Sequence, residues 1–139
     1  MIIGRNFKNV GKRKCAIVKV KLNLGSGKLF INDKDFLNYT QYNSRCENFF
    51  LSPLFLLNLE EKYDIFAYSR GGGITGQCEA LKLAIARSIY SFVEDFDKQK
   101  LKENGFLTRN SLCKERRNMV LKKLEKHLNF QNDKFLNFI

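Results

Sequence analysis

The sequence predicts an α+β fold, on three observations. From Val18 to Leu22 apolar residues alternate with lysines, the period of a half-buried strand. Ala80, Leu81, Ala84, Ile85, Ser88 and Ile89 recur at three- and four-residue spacing, the stripe of an amphipathic helix. Strand-like segments precede helix-like ones along the chain, with no internal repeat or low-complexity linker between them. The 139 residues, 44% of them hydrophobic, suit one domain with a real core.

Residues 1–11 read as an extended basic arm containing Gly4 and Gly11. Cys15 to Leu22 reads as a strand with Val18, Val20 and Leu22 inward and Lys19 and Lys21 outward. The turn LGSGK, residues 24–28, leads to Leu29-Phe30-Ile31, so residues 15–31 read as a hairpin. Asn32 or Asp33 is placed to cap a short helix carrying Phe36, Leu37 and Tyr39. Residues 40–48 are polar and loop-like, and Pro53 marks a helix start inside the apolar run 49–59. Tyr63 to Tyr68 is a further strand. The segment SRGGGITGQ, residues 69–77, turns the chain into the helix expected over residues 75–93, which Phe92 continues and Asp95-Phe96-Asp97 ends. A short basic helix over residues 98–104 stops at Gly105, and the pattern is helical again from Lys114 to Leu128. The expected organisation is a basic arm (1–11), a globular α+β domain (12–97) and a basic helical carboxy-terminal extension with a tail (98–139).

Charge is segregated. The formal net charge is +11, with +8 in residues 1–28, −4 in residues 29–97, +7 in residues 98–126 and zero in residues 127–139. Solubility alone does not require two basic segments around a mildly acidic middle, whereas a polyanion-binding face built from both does. Abundant Asn, Lys, Phe, Ile and Leu hint at an AT-rich genome.

Other functions find little support. No stretch approaches 18 apolar residues, and the amino terminus lacks an apolar signal-peptide core, so neither a membrane partner nor secretion is expected. Cys15, Cys46, Cys78 and Cys113 form no CxxC pair and are expected to be reduced thiols, most of them small core residues. With one histidine, His127, no metal site and no cofactor are expected. Glu60-Glu61 and Asp95/Asp97 lie where solvated loops carry acids, and no tuned carboxylate pair stands out, so an enzyme is not expected.

The glycine loop before a helix presents backbone N–H groups to an anion in principle. It lacks the GxxxxGK[ST] and GxGxxG patterns of nucleotide sites. A structural turn and an approach to an RNA phosphate remain open, and the neighbouring Arg70 favours the second. GKRK at residues 11–14, with Arg109, Arg116, Arg117, Lys122 and Lys123, points to nucleic acid, since Arg forks pair with phosphate and Lys neutralises it. The aromatic residues, 13% of the chain and mostly Phe, read as core, and no base-stacking platform is evident.

These segments together resemble a known family. GKRKCAIVKV, LGSGKLFIND, YDIFAYSRGGGITGQCEALKLAIARSIYSF and LKENGFLTRNSLCKERR, in that order, are similar to the ninth protein of the small ribosomal subunit. The resemblance implies a ribosomal S-five domain-two-like fold with a left-handed β-α-β crossover, plus an extended basic tail. It implies a structural place in the subunit head on the 3′ major domain of the rRNA, among neighbouring ribosomal proteins. It also implies a tail directed toward the peptidyl-site tRNA. Carried over by position, the rRNA-binding candidates are Lys12, Arg13, Lys14, Arg70, Gly71, Gly72, Gly73, Gln77, Arg109, Arg116, Arg117, Lys122 and Lys123.

The chain departs from the family pattern at its end. Val120 stands for a glycine, Glu125 for an arginine and Asn110 for an aspartate, and the chain ends KFLNFI rather than in a basic Ser-Lys-Arg tail. Such an end suits tRNA phosphate poorly, and Phe135, Phe138 and Ile139 are expected to dock on a neighbouring protein. With AT-rich residue usage and no presequence, the divergence points to a copy encoded in a plastid or mitochondrion rather than in an AT-rich bacterium. The alternative is a subunit of an RNA-processing enzyme, the ribonuclease P type of protein, whose Arg-Asn-Arg motif is absent. A small-molecule kinase on the same fold would need a P-x-x-x-G-L-x-S-S loop, also absent.

Overall fold

The computed structural model describes residues 7–113. The expected helix from Lys114, the tail and the candidates Arg116, Arg117, Lys122 and Lys123 lie outside the described residues. The strands are β1 (Phe7–Arg13), β2 (Ala16–Leu24), β3 (Leu29–Ile31), β4 (Lys34–Asp35) and β5 (Tyr63–Arg70). The helices are α1 (Phe36–Tyr39), α2 (Ser44–Leu56), α3 (Ile74–Tyr90) and α4 (Asp95–Glu103). The α+β expectation holds.

The five strands form one sheet in the order β1-β2-β5-β3-β4. All neighbours are antiparallel except β3 and β5, which run parallel and are joined through α1 and α2. In β2 the inward residues are Ala16, Val18, Val20 and Leu22, with Lys19 exposed, as the alternation requires. They join Ile65 and Ala67 of β5, Leu54 of α2, the stripe of α3 and Leu101 of α4 in one core. The helices therefore cover one face of the sheet. Leu83 and Ala86 are buried in addition to the expected stripe, and Leu83 lines a cleft with Phe106 and Thr108 of the segment after α4.

Several elements differ from expectation. The hairpin is not 15–31. It is β1–β2, closed by Lys14 and Cys15, so residues 7–11 are an edge strand rather than a free arm. β5 inserts between β2 and β3 because the 25–28 turn is tied to it. The Asp64 carboxylate accepts from the Ser26 and Lys28 N–H groups, both at 2.9 Å, and Gly25 N–H donates to the Lys62 carbonyl at 3.0 Å. Eight residues of β2 pair with β5, a longer ladder than three-residue β3 could supply. Asn32 and Asp33 cap no helix. They are the left-handed turn residues between β3 and β4, at φ 51° and 64°. Residues 44–48 are helix rather than loop, because Asn43 caps Arg45 N–H at 3.1 Å and Cys46 is buried. Pro53 sits in the last turn of α2, where its fully buried ring offsets the missing backbone donor. Asp95 and Asp97 do not end α3. They occupy the first turn of α4, where the helix dipole favours acids. Half of the cysteines are core: Cys46 and Cys78 are buried, Cys15 and Cys113 exposed. Burial, then a hydrogen bond with Cys46, raises the Cys78 thiol far above its usual range, so it stays protonated.

The Asp64 turn carries a pH signature. The Lys28 N–H, with further help from Ser26 and Gly27, lowers the Asp64 carboxyl pKa against a smaller opposing effect of desolvation. Its contribution to stability is therefore fully present above the ordinary carboxylate value, about 3.9. It is lost as pH falls through the lower folded value. Asp64→Asn is expected to flatten the acid limb of stability below about pH 4. Urea titrations of both proteins at several acid pH values check this, and parallel limbs would refute it.

Candidate nucleic-acid interface

One end of the sheet gathers most of the described candidates. Arg13 pairs with Ala16 across the β1–β2 turn, and Ile17 pairs with Arg70, so Lys12, Lys14 and Arg70 share that end. The glycine loop follows Arg70 directly and leads into α3. Gly71 and Gly72 have φ of 75° and 67°, and a Cβ on Gly71 would lie 2.7 Å from the Cys15 carbonyl oxygen. These two glycines are thus required by close approach of the loop to the β1–β2 turn. Gly73 is different: among the described residues a Cβ there would meet nothing within 4 Å, and no side chain caps α3. The amino end of a 17-residue helix is therefore open, with its positive dipole end facing outward.

Two candidates point into the protein. The Arg13 side chain is only 13% exposed and pairs through Nε with Glu79. Its Nη1 donates to the carbonyls of Asn110, at 3.3 Å, and Leu112. Arg13 therefore fastens the segment containing Arg109 to β1 and α3. Gln77 donates through Nε2 to the Gly71 carbonyl at 3.0 Å, and its Oε1 accepts from Tyr39 OH at 2.7 Å. It shapes the glycine loop. Lys12, Lys14, Arg70 and Arg109 are exposed, and none has an ion-pair partner among the described residues. Lys14 holds a left-handed φ of 52°, a strained conformation at the turn between β1 and β2. Between Lys12, Lys82, Phe106 and Asn110 lies a cleft of about 260 Å³. Four exposed cations around an uncapped helix end make an anion-binding surface.

Sequence reasoning missed two features. The Asn32 amide donates to the Ser69 carbonyl at 3.0 Å and accepts from the Ser69 N–H at 2.9 Å, holding the strand end that presents Arg70. Phe66 and Tyr68 are not core residues. They lie on the open face of the sheet, 42% and 67% exposed, with Phe30 stacked on Phe66 at 5.7 Å. The small residues Ala67 and Ser69 point inward instead, a register that β5's own alternation permits but does not select.

The profile of the ribosomal protein S9/S16 family matches residues 11–132. The chain belongs to that family. A relative from Euglena gracilis, small ribosomal subunit protein uS9c, is 51% identical over 120 residues, covering 84% of this chain and 89% of its own. The uS9c of Mesostigma viride is 41% identical over 87% of this chain and 88% of its own. The uS9 of the bacterium Thermosynechococcus vestitus is 41% identical over 86% and 87%. The family match spans the β1–β2 turn, the glycine loop and the Arg109 segment alike, the three chain stretches that meet at the basic end.

Among the described residues there is no group of three side chains fit to hold a metal ion. None of the described helices is long and apolar enough to cross a membrane.

Proposed function

We propose that this chain is a structural, non-enzymatic constituent of the small ribosomal subunit of a plastid, where it binds small-subunit rRNA and touches neighbouring ribosomal proteins. One observation carries the reading: Lys12, Lys14, Arg70 and Arg109 are exposed at one end of the sheet, beside the glycine loop that opens α3, with no ion-pair partner among the described residues, while the acid Glu79 is already neutralised by Arg13. Family membership and the uS9c relatives supply the particular assembly and the plastid.

The finer statements belong to the same proposal. The rRNA contacted is the 3′ major domain in the subunit head. The direct contacts are Lys12, Lys14, Arg70, Gly71, Gly72, Gly73, Arg109, Arg116, Arg117, Lys122 and Lys123, whereas Arg13 and Gln77 position them. The crossover from β3 to β5 is left-handed, which the parallel pairing of those strands through α1 and α2 is compatible with. In functional terms residues 1–11 and 98–139 are the arm and extension of a body at 12–97, and most of the cations lie near or in these ends. The tail runs toward the peptidyl-site tRNA, but residues 127–139 carry one acid and one base. We therefore assign Phe135, Phe138 and Ile139 to a protein neighbour rather than to tRNA phosphate.

Ultraviolet crosslinking in the native cells, followed by sequencing of the attached RNA, tests this. Reads on the 3′ major domain of plastid small-subunit rRNA are expected. Reads dominated by precursor tRNA, or none, would overturn the reading.

A further inference from the structure

The helices cover one face of the sheet, and among the described residues nothing covers the other. Its pattern is unusual for an idle surface. A column of lysines runs down β2 beside a column of aromatics on β5: Lys19 pairs in register with Tyr68, and Lys21 with Phe66. Phe30 of parallel β3 backs Phe66, the two rings lying 15° from parallel. On the other side Lys8 of β1 stands directly opposite Lys21. Like charges directly opposite destabilise a sheet. Among the described residues none of these three lysines has an ion-pair partner. A groove of about 380 Å³ crosses the face between the lysines and the rings, with Asp33 its one acid.

We propose that this face is a stacking platform for an unpaired stretch of RNA, an inference that rests on the ribosomal reading above and extends it to a second surface. Two bases stack on Tyr68 and Phe66, which are two residues apart and so about 7 Å apart along the strand. The phosphates run along Lys19, Lys21 and Lys8. Charge complementarity selects this occupant over a protein. Lysine is depleted from the cores of protein–protein interfaces, whereas here Lys8, Lys19 and Lys21 all line the groove. Aromatics on a sheet with cations beside them are how proteins bind splayed single-stranded bases. Bound phosphate also relieves the Lys8–Lys21 repulsion, which no ion pair among the described residues offsets.

The test uses the full chain with two probes, an oligouridine single strand and a fully paired RNA duplex of equal length. Phe66→Ala with Tyr68→Ala is expected to weaken single-strand binding roughly ten-fold or more at an unchanged salt slope, with duplex binding unaltered. Lys19→Gln with Lys21→Gln is expected to lower the single-strand slope by about 1.4. Tyr68→Phe, which keeps the ring, is expected to bind as the parent does, separating stacking from a folding defect. Unaltered single-strand affinity in the alanine pair would overturn the platform. In native subunits, ultraviolet adducts of RNA are expected on Phe66 or Tyr68. Adducts on Lys12–Lys14 and Arg109 alone, or chemical crosslinks from Lys19 and Lys21 to a protein neighbour in their place, would overturn the platform and leave the ribosomal reading standing. RNA on neither surface would overturn both.

Discussion

Replacing Gly11 by alanine is expected to cost about 3 kcal/mol of stability, a large fraction of what a domain this size possesses. A Cβ at this position would lie 1.9 Å from the Ala80 carbonyl oxygen and 2.7 Å from the Ala84 nitrogen, both backbone atoms of α3. The helix cannot retreat, because Leu81, Ala84, Ile85 and Ile89 are fully buried and α2 packs against it. β1 must withdraw instead. That loosens the bond from Arg87 Nη1 to the Val10 carbonyl, now 2.9 Å, and the Arg13–Glu79 pair. The glycine that opens the GKRK motif is therefore a packing residue, and the cations after it are placed by it. Gly73→Ala is the control, since its φ is −88° and among the described residues a Cβ there meets nothing within 4 Å. It is expected to change stability by less than about 1 kcal/mol, because the entropy gained in the unfolded chain is offset by Ala's poor fit at the α3 N-cap. Urea unfolding of the two variants checks the contrast, and equal midpoints would refute it.

How much of this was readable in advance depends on the range of the interaction. The stripe of α3 and the alternation of β2 are local periodicities, and both appear as expected because burial of one face selects them. The insertion of β5 between β2 and β3 was not readable. It depends on Asp64 reaching the Ser26 and Lys28 amides from 36 to 38 residues away. Asn32 was misread for the same reason: its side chain serves Ser69, not a local helix. The basic cluster was found from charge alone, but charge cannot say which guanidinium is spent inside. Arg13 and Arg70 look alike in the sequence, yet one is an internal fastener and the other is exposed, with no ion-pair partner among the described residues. The aromatic face escaped because Phe66 and Tyr68 are apolar by type, and the side of a strand they occupy follows from which neighbours pair with it.

That division between fastener and contact makes Lys12→Glu with Arg70→Glu the most informative change to binding. Both residues are exposed, and each pairs with Ile17 of the intervening strand, so they flank it on the outward face about 10 Å apart. Neither makes an ion pair among the described residues, so reversing them breaks no such pair there, and the urea midpoint should hold. Reversal removes two phosphate partners and sets two carboxylates against the same phosphates. Affinity for rRNA is expected to fall about 100-fold at physiological salt, and the slope of log affinity on log salt by about 1.8. Arg13→Ala should do the opposite. It costs stability by unpairing Glu79 and releasing the Asn110 and Leu112 carbonyls, and it leaves the slope nearly intact because its charge is already met by Glu79. Filter binding across a salt series, beside urea unfolding of each variant, separates the two roles. A slope that falls equally for both variants would mean that Arg13 reaches the RNA after all, and one that falls for neither would remove the basic end from the interface.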